Sequence, residues 1–212
     1  ELSIVNDIPR SRGLGSSSAV TTAAAAAAMR AVGRVPESEA LFDIVAALEG
    51  HADNAAAAVY GGMVVVSGEA WRRFEISPKL EIIVGIPDAR LGTFEARSVL
   101  SAEVSRWAAA RNLGRLAFLL EGLRSADPVA LEAAAGDELH ELPRQHLSPV
   151  TAELMDAARR GGAFHAAWSG AGPTAIAFTT ADGVDSVTIA MEATLGDQGV
   201  VRRLDVASEG WA

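Results

Sequence analysis

The chain is 212 residues long, with 50% apolar, 21% charged and 5% aromatic residues, enough to bury a core in one or two domains. Its 18 basic and 27 acidic residues leave a formal charge of −9, which argues against a nucleic-acid or anionic-lipid face, and the lack of cysteine excludes disulfide scaffolds, thiolate zinc sites and cysteine nucleophiles. Its one lysine, Lys79, lies outside every glycine-rich stretch, so neither a Walker loop nor the strand lysine of a protein kinase is present.

Along the chain, Leu2 to Ile8 reads as a strand rich in Ile and Val that stops at Pro9. A polar turn from Arg10 to Gly15 leads into an Ala-dominated helix from Ser16 to Val32. A second helix follows Pro36, with Leu41, Ile44, Val45 and Leu48 at i, i+3, i+4 and i+7, and gives out near Gly50. After Gly61-Gly62 come strand-like runs at Met63 to Ser67, Arg72 to Ile76 and Leu80 to Ile86. Beyond Pro87 the texture is helical, with Asp127-Pro128 and Ser148-Pro149 each a cap residue followed by proline at the first helical position. Two short strands, Phe164 to Trp168 and Thr174 to Thr179, precede a helix from Val184 to Leu195 and a last strand from Val200 to Val206.

From Leu80 onward the order strand, helices, strand, strand, helix, strand is the split βαβ pattern of ferredoxin-like domains. The expected architecture is α+β, a sheet-and-helix layer pair in each half, with a first domain at 1–78 and a second at 79–212. Gly13 to Met29, a charge-free stretch of small residues, is too small and polar for a bilayer span, so no membrane partner is expected, and with no cysteine to argue for an oxidising compartment a cytoplasmic address is the default.

Three segments could carry chemistry. In Pro9-Arg-Ser-Arg-Gly-Leu-Gly-Ser-Ser-Ser-Ala19 the glycines allow close backbone approach, the helix start presents free N–H groups, and Arg12 adds charge, which suits a triphosphate. The same residues also read as a loop with serine caps on an Ala-rich helix. Glu49-Gly-His-Ala-Asp-Asn54 packs two carboxylates, an imidazole and an amide at a helix end; Glu49 suits a hard cation, while capping by Asp53 or Asn54 with a solvated Glu49 is the plainer alternative. Ser169-Gly-Ala-Gly-Pro-Thr174 is a glycine turn between strands. His140 and His146 are six apart, with Pro143 between them, which rules out a zinc-protease helix.

Taken in order, these segments resemble the superfamily of galactokinase, homoserine kinase, mevalonate kinase and phosphomevalonate kinase. The pattern Pro-x-x-x-Gly-Leu-Gly-Ser-Ser-Ala is met at Pro9 to Ser18 save for its last residue, Glu-Gly-His-x-Asp-Asn followed by Gly-Gly at Glu49 to Gly62, and Ser-Gly-Ala-Gly-Pro at Ser169 to Pro173. The homoserine kinases match most closely. The resemblance implies an amino-terminal half like ribosomal protein S5, truncated here because superfamily members carry a further segment before the first strand.

It also implies that Pro9, Arg10, Ser11, Arg12, Gly13, Leu14, Gly15, Ser16, Ser17, Ser18 and Ala19, with Ser169, Gly170 and Gly172, hold ATP. One of Ser16 or Ser17, with Ser17 favoured, would share Mg2+ with Glu49; His51, Asp53 and Asn54 would line an L-homoserine pocket, with Asp53 where relatives place a carboxylate base. Thr93 and Arg97, in Thr-Phe-Glu-Ala-Arg, would stand near the reacting hydroxyl and phosphate, and Arg144 would grip the amino-acid carboxylate, although a surface arginine is the ordinary reading of both arginines. A homodimer is the family habit. Two competitors are another small-molecule kinase of the superfamily and a non-catalytic relative that binds a ligand without turnover.

Overall fold

The computed structural model describes residues 2–211. They form two compact units: residues 2–10, 15–76 and 206–211 make the first, residues 11–14 and 77–205 the second.

In the first unit three helices, α1 (Ser16–Ala31), α2 (Ser38–Glu49) and α3 (Asp53–Tyr60), pack on one another. α1 buries Ser18, Thr22 and Ala26, four residues apart, and small side chains at that spacing let α2 and α3 approach closely. Leu41, Phe42 and Val45 of α2 and Ala55, Ala56 and Val59 of α3 fill the core. α3 was not expected, because its Ala run carries no apolar stripe of large residues.

Strands β1 (Met63–Ser67) and β2 (Ala70–Phe74) form an antiparallel hairpin, with Val65 opposite Arg72. Tyr60 stacks on Trp71, ring centroids 3.9 Å apart. The carboxyl-terminal stretch joins the same unit: the Gly62 N–H donates to the carbonyl of Ala207 at 2.8 Å and Arg73 Nη2 to that of Ser208 at 2.6 Å.

Two sequence expectations need correction here. Leu2 to Ile8 is not a strand, since a strand needs a ladder partner and none pairs with it among the described residues; Val5 stands exposed. β2 lies two residues earlier than the expected Arg72 to Ile76, because the two-residue turn at Gly68-Glu69 sets the register.

The second unit holds an antiparallel sheet in the order β4-β5-β3-β6, built from β3 (Glu81–Pro87), β4 (His165–Trp168), β5 (Ala175–Thr179) and β6 (Gly199–Leu204). This is the ferredoxin-like order, and the α+β class read from the sequence is borne out. The first crossover carries α4 (Thr93–Ser98), α5 (Arg106–Ser125), α6 (Pro128–Ala133), α7 (Glu141–Arg144) and α8 (Pro149–Arg160), and α9 (Val184–Leu195) precedes β6. α8 and α9 pack on each other and on the sheet, burying Leu154, Met155, Val187 and Met191 against Ile83, Trp168 and Val201.

Asp127 caps α6 as the sequence suggests, its carboxylate accepting from the Val129 N–H at 2.9 Å. Ser148 does not cap α8. Its hydroxyl donates to Thr151 Oγ1 at 2.8 Å, and Thr151 donates in turn to the carbonyl of Pro173 at 2.6 Å, tying the helix start to the Ser169–Pro173 turn.

His165, 4% exposed, donates from Nδ1 to the Leu131 carbonyl at 3.0 Å. Burial lowers its pKa, against the Leu131 bond and with help from the charge of Arg159. The unfolded chain therefore takes up this proton more readily, so the His165 contribution to stability is complete above the ordinary value of 6.5 and is lost as pH falls below it. Urea unfolding between neutral pH and about pH 5.5 should show a midpoint that falls less in His165→Leu than in the unmodified protein; equal falls would remove this role.

Candidate active site

In the first unit, α1 starts at Gly15, which takes the left-handed conformation (φ 73°), and no side chain caps the helix. The serines are engaged elsewhere. Ser16 Oγ accepts from Asn6 Nδ2 at 2.9 Å, while Ser17 Oγ donates to Glu49 Oε1 at 2.8 Å and Ser18 Oγ to Oε2 at 2.9 Å. Serine capping is thus the wrong reading of this loop, and the first-turn N–H groups of α1 keep their capacity to donate to an anion.

Thr21, one turn further on, donates to Glu49 Oε1 at 3.1 Å. Three hydroxyls of α1 therefore converge on the last residue of α2. Burial would raise the Glu49 carboxyl, but these three hydroxyls and the nearby His51 outweigh it and hold the group below its usual range. A carboxylate beside a hydroxyl is a hard-oxygen donor pair that fits Mg2+, and among the described residues no cluster of three or more acidic or imidazole side chains surrounds it. Such a pair fills only part of a magnesium shell, so phosphate oxygens and water would supply the rest.

Four residues past Glu49 the chain enters α3. Asp53 Oδ1 meets His51 Nδ1 at 2.9 Å and accepts from the Asn54 N–H at 2.8 Å. An ionised carboxylate only accepts, so the His51 ring carries its proton on Nδ1. The Asp53 side chain is 73% exposed and Asn54 is exposed as well. Asp53 is the first residue of α3 and no side chain caps the helix, so the capping alternative fails for Asp53 and Asn54, and Glu49 is not simply solvated.

In the second unit the first and third glycine segments interlock. Ser169 Oγ donates to the carbonyl of Gly13 at 2.7 Å, and the Thr174 N–H to that of Arg12 at 3.3 Å. Gly13 has φ 74°, and a Cβ there would overlap the Ser169 carbonyl oxygen and lie 2.7 Å from the Gly172 nitrogen. A Cβ on Gly172 would lie 2.5 Å from the Trp168 ring. The Ser169–Pro173 segment is therefore more than a hairpin turn, since its glycines permit a backbone-to-backbone contact. Arg12 Nη2 donates to the carbonyl of Asp88, while its Nε and Nη1 are buried without a hydrogen-bond partner among the described residues. Ser11 and Gly170 are exposed and Leu14 half-buried in this unit; Pro9 and Arg10 are exposed and Ala19 half-buried in the first.

Arg144, in α7, is 7% exposed and so is not a surface arginine. Its Nε donates to the carbonyl of Ala96 at 2.9 Å and its Nη1 to that of Gly170 at 3.2 Å, and Nη1 lies 3.0 Å from His140 Nδ1. Burial lowers its pKa, and the charge of Arg97 lowers it further. Two guanidinium groups near each other make a place that favours an anion. Arg97 and Thr93, both on α4, are exposed.

Sequence reasoning missed Thr21, Asp137 and His140. Ser17, Ser18 and Thr21 share one face of α1 by their spacing, a signal the sequence did contain. Nothing local pointed to His140 as a partner of Arg144, apart from their separation of four.

Residues 1–62 match the family described as GHMP kinases N terminal domain, and residues 119–196 the one described as GHMP kinases C terminal. The homoserine kinase of Desulfitobacterium hafniense is 35% identical over 218 aligned residues, covering 100% of this chain and 73% of the relative. That of Nostoc punctiforme is 34% identical over 210, covering 96% of this chain and 69% of the relative. Among solved structures, the homoserine kinase of Cytophaga hutchinsonii superposes with a TM-score of 0.87 at 26% identity, covering 96% of this chain and 69% of that one. The mevalonate kinase of L. major, solved with R-mevalonate, superposes with a TM-score of 0.68 over 89% of this chain and 64% of that one; at 17% identity it speaks for the fold alone.

Proposed function

The chain belongs to the homoserine kinases of the GHMP kinase family, and from that membership we propose how its residues carry out the transfer of the γ-phosphoryl group of ATP to the side-chain hydroxyl of L-homoserine. The product, O-phospho-L-homoserine, belongs to threonine biosynthesis. The observation that carries the site assignment is the convergence of Ser17, Ser18 and Thr21 on Glu49 beside an uncapped helix start.

Phosphoryl transfer needs alignment and positive charge more than covalent help from the protein. In the first unit, the first-turn N–H groups of Ser16, Ser17 and Ser18 donate to phosphate oxygens, with Pro9, Arg10, Gly15 and Ala19 shaping the approach. Glu49 and Ser17 are the residues that would hold Mg2+, which when bound offsets phosphate charge. His51 and Asn54 bind homoserine. Asp53, whose Oδ1 is taken by His51 and the Asn54 N–H, keeps Oδ2 for the proton leaving the hydroxyl.

In the second unit, Ser11, Arg12, Gly13 and Leu14, together with Ser169, Gly170 and Gly172, offer backbone groups to the phosphates, and the two unpartnered N–H groups of Arg12 suit an anion. Thr93 orients the hydroxyl, and Arg97 supplies charge to the phosphoryl group in flight. Arg144 has Nε and Nη1 already committed, so Nη2 is the nitrogen left for the amino-acid carboxylate. We place the enzyme in the cytoplasm and, with its family, in a homodimer. Among the described residues no helix is long and apolar enough to cross a membrane.

ADP release from full-length protein with Mg-ATP, offered L-homoserine, L-serine, L-threonine and mevalonate in parallel, tests the reading. Homoserine alone should drive release; release with another alcohol would discard the pocket assignment. Asn54→Ala should raise the KM for homoserine about tenfold and leave kcat within about threefold, as loss of one hydrogen bond made equally in ground and transition state would. A fall in kcat at unchanged KM would contradict that role.

A further inference from the structure

Among the described residues Arg144 is the only buried arginine, and no carboxylate pairs with it. Its partners are two carbonyls and one imidazole. A guanidinium has donors only, so His140 Nδ1 must be the acceptor, and in the neutral ring the proton then sits on Nε2. Nε2 lies 3.1 Å from Asp137 Oδ2. The polarity of the chain from Arg144 through His140 to Asp137 is therefore set at both ends: one end can only donate and the other only accepts.

Asp137 is itself held in place. Its Oδ1 accepts from the Leu139 N–H at 2.7 Å, the His140 N–H at 3.1 Å and Asn112 Nδ2 of α5 at 2.8 Å. Asn112 cannot turn round, because its Oδ1 accepts from the Glu138 N–H at 3.1 Å. Burial would raise the Asp137 carboxyl, but the bonds from His140, Asn112 and Leu139 hold it well below the usual carboxylate range. The acceptor end thus stays ionised near neutral pH, and His140 is anchored to α5 while it steers an arginine of α7.

We infer that His140 and Asp137 are positioning residues for the amino-acid substrate: they hold Arg144 so that its Nη2 is presented to the homoserine carboxylate. This rests on the reading of Arg144 as the partner of that carboxylate. The His140 side chain is only 30% exposed, and its one acceptor nitrogen is spent on Arg144, so it acts through the arginine and need not touch the substrate.

The test uses the two amides as half-mimics of histidine. Asn puts an oxygen where Nδ1 stood and keeps the acceptor for Arg144; Gln reaches Asp137 in place of Nε2 but gives Arg144 nothing. In full-length protein, His140→Gln and His140→Leu should raise the KM for homoserine about tenfold, the usual effect of losing a hydrogen bond to a charged group. The KM for ATP and kcat should stay within about twofold, and His140→Asn should hold the homoserine KM within about threefold of the unmodified enzyme. Equal rises in the Asn and Gln variants, or a parallel rise in the KM for ATP, would overturn the inference in favour of a merely structural role. The contrast of Asn with Gln stands even if the Leu variant does not fold. Arg144→Leu separates the two levels. If its homoserine KM is unchanged, the carboxylate reading itself fails; if it rises while His140→Gln and His140→Leu leave KM unchanged, only the positioning role fails.

Discussion

Glu49→Gln should lower kcat by on the order of 100-fold or more while leaving the protein folded. The amide keeps the shape of the side chain, and hydroxyls can turn to accept from its NH2, so Ser17, Ser18 and Thr21 keep partners. What disappears is the negative charge, and with it the grip on a divalent cation. Glu49→Ala should do more harm, because Ser18 is 1% exposed and its hydroxyl would be left unpaired, at about 1–3 kcal/mol. Two readouts check this. Turnover at rising Mg2+ concentration should show a raised half-saturation point in Glu49→Gln, and the thermal stabilisation given by Mg-ADP should shrink. Unchanged values of both would take Glu49 out of the cation site. Because the hydroxyls hold the folded carboxyl below its ordinary 4.5, the stability it contributes is complete above that pH and fades only as pH falls through the lower folded value.

Gly13→Ala should destabilise the second unit by about 2–4 kcal/mol, the sum of a left-handed conformation unsuited to Ala and the displacement of packed backbone. Gly15 is the natural control. Both glycines have nearly the same positive φ, 74° and 73°, but a Cβ on Gly15 would meet nothing within 4 Å, whereas one on Gly13 would strike the Ser169 carbonyl. Gly15→Ala should therefore cost only the conformational part, about 1–2 kcal/mol. Urea unfolding of the two variants reads the difference, and equal losses would mean that the interlock of residues 11–14 with 169–172 is absent in solution. Gly13→Ala should also weaken ATP binding, since the displaced carbonyls and N–H groups belong to the phosphate-binding backbone proposed above.

Much of the fold is legible in the residues because its causes are local. Leu41, Ile44, Val45 and Leu48 report a helix by their spacing, Pro128 and Pro149 mark helix starts, and the order of strands and helices after Leu80 selects the ferredoxin-like arrangement. The failures come where a distant partner decides. The Leu2–Ile8 run has β-forming residues, but a strand exists only with a partner. β6 runs from Gly199 to Leu204 instead of Val200 to Val206, because the pairing with β3, Gly199 opposite Pro87 and Leu204 opposite Ile82, sets its limits.

The sequence by itself determined that a glycine loop precedes a helix, that an acidic residue ends the next helix, and that an arginine sits one turn after a histidine. Only the tertiary structure decided which groups meet. Ser17 and Glu49 are 32 residues apart, Gly13 and Ser169 are 156 apart, and Arg144 finds its carbonyl acceptors 48 and 26 residues away. Periodicity and capping are written in neighbours three or four positions apart, so a single chain displays them. A hydrogen bond between distant residues depends on how helices and strands pack, and hydroxyls, carboxylates and imidazoles carry no mark of the partner that packing will give them.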